Sequence, residues 1–181
     1  QIRSQDTRYR ASRAFYQTLY PDNHPYHYSG RGTLDTVPTL TIDDMRSFHR
    51  NTYGPDGMIL VIVGAVHTVD AVELVRRAFA DWSNPAQPAP ATLPPPPLHS
   101  EIKRSVVPLP GKTQADLLLG STGPSRYDDD YLAAVLTNCV LGQFGMMGRI
   151  GASVRERLGL AYYAYSGLDG GMGPTPWSVV A

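Results

Sequence analysis

The sequence predicts a mixed helix-and-strand fold in two groups, divided by a proline-rich stretch. Three observations carry this. Apolar residues at helical spacing alternate along the chain with short β-branched or aromatic runs. Residues 83–98 hold seven of the sixteen prolines, four of them consecutive at Pro94–Pro97, which favours an extended polyproline II segment and a boundary. Gly148–Ser166, GRIGASVRERLGLAYYAYS, reads as a helix that stops at a glycine and passes at once into an aromatic strand.

Before the boundary, residues 6–20 form the first expected helix. Asp6 or Thr7 caps it, Ala11, Phe15 and Leu19 recur every four residues, and Pro21 ends it. A loop rich in Gly, Pro, Asn and His follows to residue 40. Thr41-Ile-Asp-Asp has the form of a capping box with Asp in the Glu position, and Met45 and Phe48 are assigned to the buried face of the next helix, to about Asn51. Tyr53-Gly-Pro-Asp-Gly is a turn. Met58–Val63 is a continuous apolar run, expected to be a strand covered on both faces. Thr68 is the expected cap of a helix whose stripe is Val72, Val75, Phe79 and Trp82.

After the boundary, Glu101–Pro108 reads as an edge strand cut short by prolines and Thr113–Gly120 as a second strand. Gly123–Arg126 is a turn. Asp128-Asp-Asp-Tyr opens a helix with its acids at the positive end of the dipole, Leu132, Val135, Leu136, Cys139 and Val140 form its buried face, and Gly142 closes it. Gln143–Gly148 is a short link. In the last expected helix Gly159 takes the left-handed C-cap position. The strand after it alternates Tyr163 and Tyr165 on one face with Tyr162 on the other, so that Arg155 and Tyr162 can converge. Gly167–Gly173 is a hairpin.

Composition narrows the class. A chain of 181 residues with 42% apolar and 18% charged residues is globular, neither disordered nor collagenous. Sixteen basic and sixteen acidic side chains cancel, which removes any electrostatic case for nucleic acid or an anionic membrane as partner. The longest apolar run, Met58–Val66, is too short for a membrane span. The single cysteine, Cys139, makes no intrachain disulfide and reads as a small core residue. The chain opens on Gln1 and stops inside an apolar run, so a segment of a longer protein is expected; bacterial periplasm and cytoplasm both stay open as its compartment.

Several motifs together carry a family resemblance. Arg155-x6-Tyr162 within VRERLGLAY resembles the arginine–tyrosine pair of the M16 (pitrilysin/insulinase-like) zinc peptidases. His24-Pro-Tyr, Gly32, Leu40–His49, Tyr53-Gly-Pro and Ile59–Gly64 resemble the region before that family's interdomain linker. Pro110–Asp116, Leu119-Gly, Asp130-Tyr, Asn138 and Leu141-Gly resemble the region after it. The resemblance implies an α+β fold of the LuxS/MPP-like metallohydrolase type, with mainly antiparallel sheets packed by helices. Residues 1–82 would be the end of one half, 83–98 the linker, and 99–181 the beginning of the second, metal-free half. It further implies a peptide substrate, whose carbonyl oxygen Arg155 and Tyr162 contact. Two departures are visible: Gly148-Arg149-Ile150 stands where the family more often reads Ser-Arg-Leu, and Gln143-Phe144 replaces a glycine pair.

The family's zinc motif, H-x-x-E-H, is absent: the histidines are His24, His27, His49, His67 and His99, and none has the required partner. Zinc, its ligands and the base are therefore expected from elsewhere, on a metal-bearing half in the same chain or on a partner subunit. No cofactor or metal is assigned to the segment itself, which is expected to be inactive alone. His24 and His27, three apart, are weighed as a metal pair against a loop fixed by proline. His49 reads as a helix-edge histidine. Ser153 lacks a nucleophile elbow, and Gly111-Lys112-Thr113 lacks the first glycine of a P-loop, with Val106 in its place. The alternative function is a non-catalytic structural or assembly subunit of the same fold.

Overall fold

A computed structural model describes residues 5–89, 91–96, 98–144 and 148–181. The chain divides into two compact units, one of residues 1–33 with 93–181 and one of residues 34–92. The division cuts the sequence at different points from the 1–82, 83–98 and 99–181 expected above.

The first unit is built on a three-stranded antiparallel sheet. Its strands are β1 (Leu118–Thr122), β2 (Tyr165–Leu168) and β3 (Pro176–Val180), with β3 in the centre. The register pairs Leu118 and Tyr165 with Val180, Gly120 and Gly167 with Ser178, and Leu168 with Trp177. Helix α1 (Thr7–Leu19) is capped by Asp6, whose carboxylate accepts the Tyr9 N–H at 2.7 Å, and ends ahead of Pro21. It lies on the face of Gly120 and Tyr165: a Cβ on Gly120 would stand 3.0 Å from the Phe15 ring, and the Arg8 guanidinium donates to the Tyr165 hydroxyl.

The opposite face carries helix α4 (Tyr131–Asn138), which runs straight into a π-helical turn at Cys139–Gln143. The face of α4 expected to be buried is so only in part: Val135 and Cys139 are half-buried. Leu132, Leu136 and Val140 are exposed, and the buried residue is Asn138. Asn138 Oδ1 accepts the Trp177 indole N–H at 2.9 Å, and Tyr131, Ala134 and Val135, on the same side of the helix, are half-buried beside it. The acids before α4 also act locally. Asp128 accepts the Ser125 N–H at 2.8 Å, and Asp130, in the cap position, makes no side-chain cap bond. Cys139, half-buried, donates its thiol to Gln143 Oε1 at 3.0 Å. Glu101–Pro108 is not a strand, and β1 begins at Leu118 rather than Thr113. Of the expected link at Gln143–Gly148, residues 145–147 lie outside the described residues.

The second unit holds α2 (Ile42–Thr52) and α3 (Thr68–Phe79). Thr41 and Asp44 form the expected capping box; the hydroxyl and amide of Thr41 hold the Asp44 carboxyl below the usual carboxylate range. The N-cap of α3 is His67, one residue before the expected Thr68. Asn84 donates to the Arg50 and Tyr53 carbonyls, and Gln87 pairs with the Asp56 backbone, so the first prolines are fastened to the turn after α2.

Burial in this unit departs from expectation. Met45 and Phe48 are exposed, and Met58–Val63 forms no strand. Yet the run keeps a strand's alternation: Met58, Leu60 and Ile62 are 44–49% exposed, Ile59, Val61 and Val63 75–92%. Leu60 and Ile62 share a groove with Val72 and Val75 of α3. A ladder needs a second strand, and none among the described residues pairs with this run.

Replacing Asn138 by Ala leaves the Trp177 N–H without its acceptor. We expect a loss of about 1–3 kcal/mol, read from urea denaturation; an unchanged midpoint would contradict the assignment of this bond as the tie between α4 and the sheet.

Candidate functional site

The segment that carries Arg155 is wound more loosely than an ordinary helix. One α-turn, α5 (Arg149–Gly151), passes into a π-helix over Ala152–Arg157. Such turns are rare in regular helices and frequent at functional sites. The widened winding continues through the stop. The Leu158 N–H reaches Ser153 O at 3.1 Å, Gly159 N–H reaches Arg155 O at 3.0 Å, and Leu160 N–H reaches Val154 O at 3.0 Å. Gly159 has φ +60°, the left-handed conformation that a side chain disfavours and the sequence anticipates.

That reversal folds residues 160–164 back along the helix end. The strand itself begins only at Tyr165, so Tyr162 lies in the extended connection before it and not in the sheet. The Arg155 guanidinium carbon stands 5.2 Å from the centre of the Tyr162 ring, a cation–π contact. The structure thus brings together the two residues that the sequence singles out. Tyr162 is 86% exposed, so it does not fill the core. Arg155 faces Glu156 at 3.7 Å, a partly exposed pair of little energetic weight. A phenol and a guanidinium side by side offer an O–H and several N–H donors to one acceptor, the chemistry suited to a carbonyl oxygen or a carboxylate.

The reverse side of the same stretch holds a second aromatic group that sequence reasoning did not assemble. The Tyr163 and Tyr165 rings lie 6.0 Å apart, with the Arg8 guanidinium 5.6 Å and 6.0 Å from their centres. Tyr163 donates to Asp116 Oδ1 at 3.2 Å. Desolvation, then the Asp116 charge, push the Tyr163 phenol above its ordinary range, so it stays a neutral donor at physiological pH. The alternation of Tyr162 against Tyr163 and Tyr165 was the available signal; Arg8 and Asp116, far away in sequence, gave none.

The histidines fall elsewhere. His24 Nδ1 accepts the Tyr26 N–H at 3.0 Å and its Nε2 faces Pro94 O at 3.1 Å, so both nitrogens are spent on backbone and the pairing with His27 as metal ligands does not hold. Among the described residues no three of His, Cys, Asp and Glu gather as a metal site.

The fold and site define an α+β domain with a donor pair at a helix-to-strand turn. Comparison with known proteins bears on the fold and the family. Residues 39–181 match the family described as the peptidase M16 inactive domain. The chain is 35% identical over 162 residues to an uncharacterized zinc protease of Streptomyces coelicolor, and 27% identical over 153 residues to the zinc protease PqqE of Helicobacter pylori. These matches cover 86% and 84% of the chain and 34% of each relative, so it spans about a third of their length. Among solved structures, a peptidase M16 inactive domain from Pseudomonas fluorescens superposes with a TM-score of 0.84 at 28% identity, over 99% of this chain and 42% of that one. A protease from Helicobacter pylori, at 23% identity, shares the fold with a TM-score of 0.87, over 98% of this chain and 42% of that one. The chain belongs to the M16 peptidase family and is of its inactive-domain type.

Because Gly159 aims Tyr162 at Arg155 through a left-handed cap, Gly159→Ala is expected to cost about 1–2 kcal/mol, and Gly159→Asn less. Chemical denaturation checks this; an alanine variant as stable as the parent would contradict the cap.

Proposed function

We propose that this domain handles the substrate of an M16-type zinc metallopeptidase, with Arg155 and Tyr162 binding the carbonyl of the peptide bond to be cleaved. The observation that carries the reading is the 5.2 Å contact between the Arg155 guanidinium and an exposed Tyr162 ring. In peptide hydrolysis the carbonyl oxygen gains negative charge as its carbon becomes tetrahedral. Donors already fixed in place stabilise that charge more than they stabilise the neutral carbonyl, and so they lower the barrier. The cation–π contact and the capped turn fix both donors before substrate arrives. The guanidinium offers several N–H donors in a fixed fork and the phenol one O–H, so both can reach a single acceptor.

The zinc, its ligands and the base that activates water belong, on this reading, to a metal-bearing half in the same polypeptide or a partner subunit. No helix among the described residues is long and apolar enough to cross a membrane. The peptide is the expected small partner, and its sequence preference is a property of the complete protein.

The test is made in the complete, peptide-cleaving protein. Arg155→Ala and Tyr162→Phe are each expected to lower kcat/KM by about 10²–10³, with zinc content unchanged. Full turnover in both variants would overturn the reading and favour a structural subunit of the same fold.

A further inference from the structure

Tyr162 stands on a stretch of chain with few ties of its own. The last backbone bond of the helix stop is Leu160 N–H to Val154 O, and the sheet begins at Tyr165. Between them the backbone of residues 161–164 makes no hydrogen bond to the backbone of another described residue. Ala164 is buried, and Tyr162 is exposed. Among the described residues, the side-chain hydrogen bond that holds this connection is Tyr163 O–H to Asp116 Oδ1 at 3.2 Å.

Neither end of that bond is loose. Asp116 precedes Leu117, whose N–H and C=O both bond to Ala181, at 2.9 and 3.1 Å, one pair beyond the β1–β3 ladder. Arg8, in the first turn of α1, lies over the Tyr163 ring at 5.6 Å and over the Tyr165 ring at 6.0 Å, and donates to the Tyr165 hydroxyl. Side chains two apart on an extended chain share a face, so Tyr163 and Tyr165 stand on one side and Tyr162 on the other. Three elements distant in sequence, α1, the lead into β1 and β2, therefore close on the Tyr163 ring. With that residue fixed, the Cα–Cβ direction of its neighbour is set. The Arg155 contact has only to select the Tyr162 rotamer.

We propose that Tyr163 is the positioning residue for Tyr162: its hydroxyl on Asp116 and its ring under Arg8 fix the connection so that the neighbouring phenol stands over Arg155. This rests on the reading of Arg155 and Tyr162 as donors to the scissile carbonyl. Tyr163 faces away from that oxygen and acts through Tyr162 alone. A donor lowers the barrier to the extent that it is in place before charge develops. Loosening the anchor thus takes from kcat and leaves KM nearly unchanged. The loss is a fraction of the 10²–10³ that removing a donor costs, about tenfold.

The experiment uses the complete, peptide-cleaving protein with Tyr163→Phe, Asp116→Ala and Asp116→Asn. Tyr163→Phe keeps the ring under Arg8 and removes the donor; Asp116→Asn keeps an oxygen that accepts it. Tyr163→Phe and Asp116→Ala are each expected to lower kcat about tenfold, with zinc content unchanged, and Asp116→Asn to restore most of it. In a Tyr162→Phe background Tyr163→Phe should cost nothing further. A second readout needs no turnover: the Arg155 side-chain proton resonances, moved upfield by the Tyr162 ring, should return in Tyr163→Phe and Asp116→Ala towards their position in Tyr162→Leu. Unmoved Arg155 resonances in both variants would overturn the anchor, as would an undiminished loss in the Tyr162→Phe background. Full turnover in Tyr162→Phe would instead remove the substrate reading, and the resonances would still decide the anchor.

Discussion

Two glycines set the geometry on which the site depends. Any Cβ on Gly148 would run into the Gly142 backbone, and one on Gly142 would stand 3.0 Å from the Ser166 amide nitrogen. The end of the α4 segment, the start of the Arg155 helix and strand β2 therefore meet backbone to backbone. This close approach places the helix end beside the strand entrance, and the left-handed Gly159 does the rest by folding Tyr162 back over Arg155. The Ser166 hydroxyl is buried at this junction and has no hydrogen-bond partner among the described residues. The pair is thus held by packing between elements and not by any strong bond of its own, since the ion pair of Arg155 with Glu156 is long and half in solvent.

Much of this was legible in the sequence because it is local. The capping box at Thr41 and Asp44, the Asp6 cap, the stop at Pro21 and the glycine cap at 159 are encoded by residues three or four apart, and all four appear. The convergence of Arg155 and Tyr162 was legible for the same reason, being a matter of seven positions and one turn. The failures are long-range. Of the apolar face read for α4, Val135 and Cys139 are half-buried while Leu132, Leu136 and Val140 are exposed, and the bond that ties the helix to the sheet comes from the distant Trp177. Met58–Val63 has the composition and the alternation of a strand but lacks a partner among the described residues, and no local signal tells a paired strand from an unpaired one. His24 and His27 were read as a proline-fixed loop with a metal pair as the alternative, and what spacing could not show is that their nitrogens meet the backbone of Tyr26, Pro94 and Tyr20.

At the turn after the Arg155 helix, Tyr162 is exposed, and the half-buried Arg155 lies against its ring with only a long contact to Glu156. At His24 the opposite holds: both ring nitrogens are used on backbone groups. A chain about a third the length of its relatives keeps both features within one compact unit, whereas the second unit leaves its apolar run open.

The central claim is that Arg155 and Tyr162 act on the same oxygen. A double-mutant cycle on kcat/KM, in the complete peptide-cleaving protein with Arg155→Ala, Tyr162→Phe and the pair combined, tests it most directly. Two donors to one developing charge predict that the double variant loses clearly less than the product of the single losses. Independent, multiplicative effects would contradict the shared target.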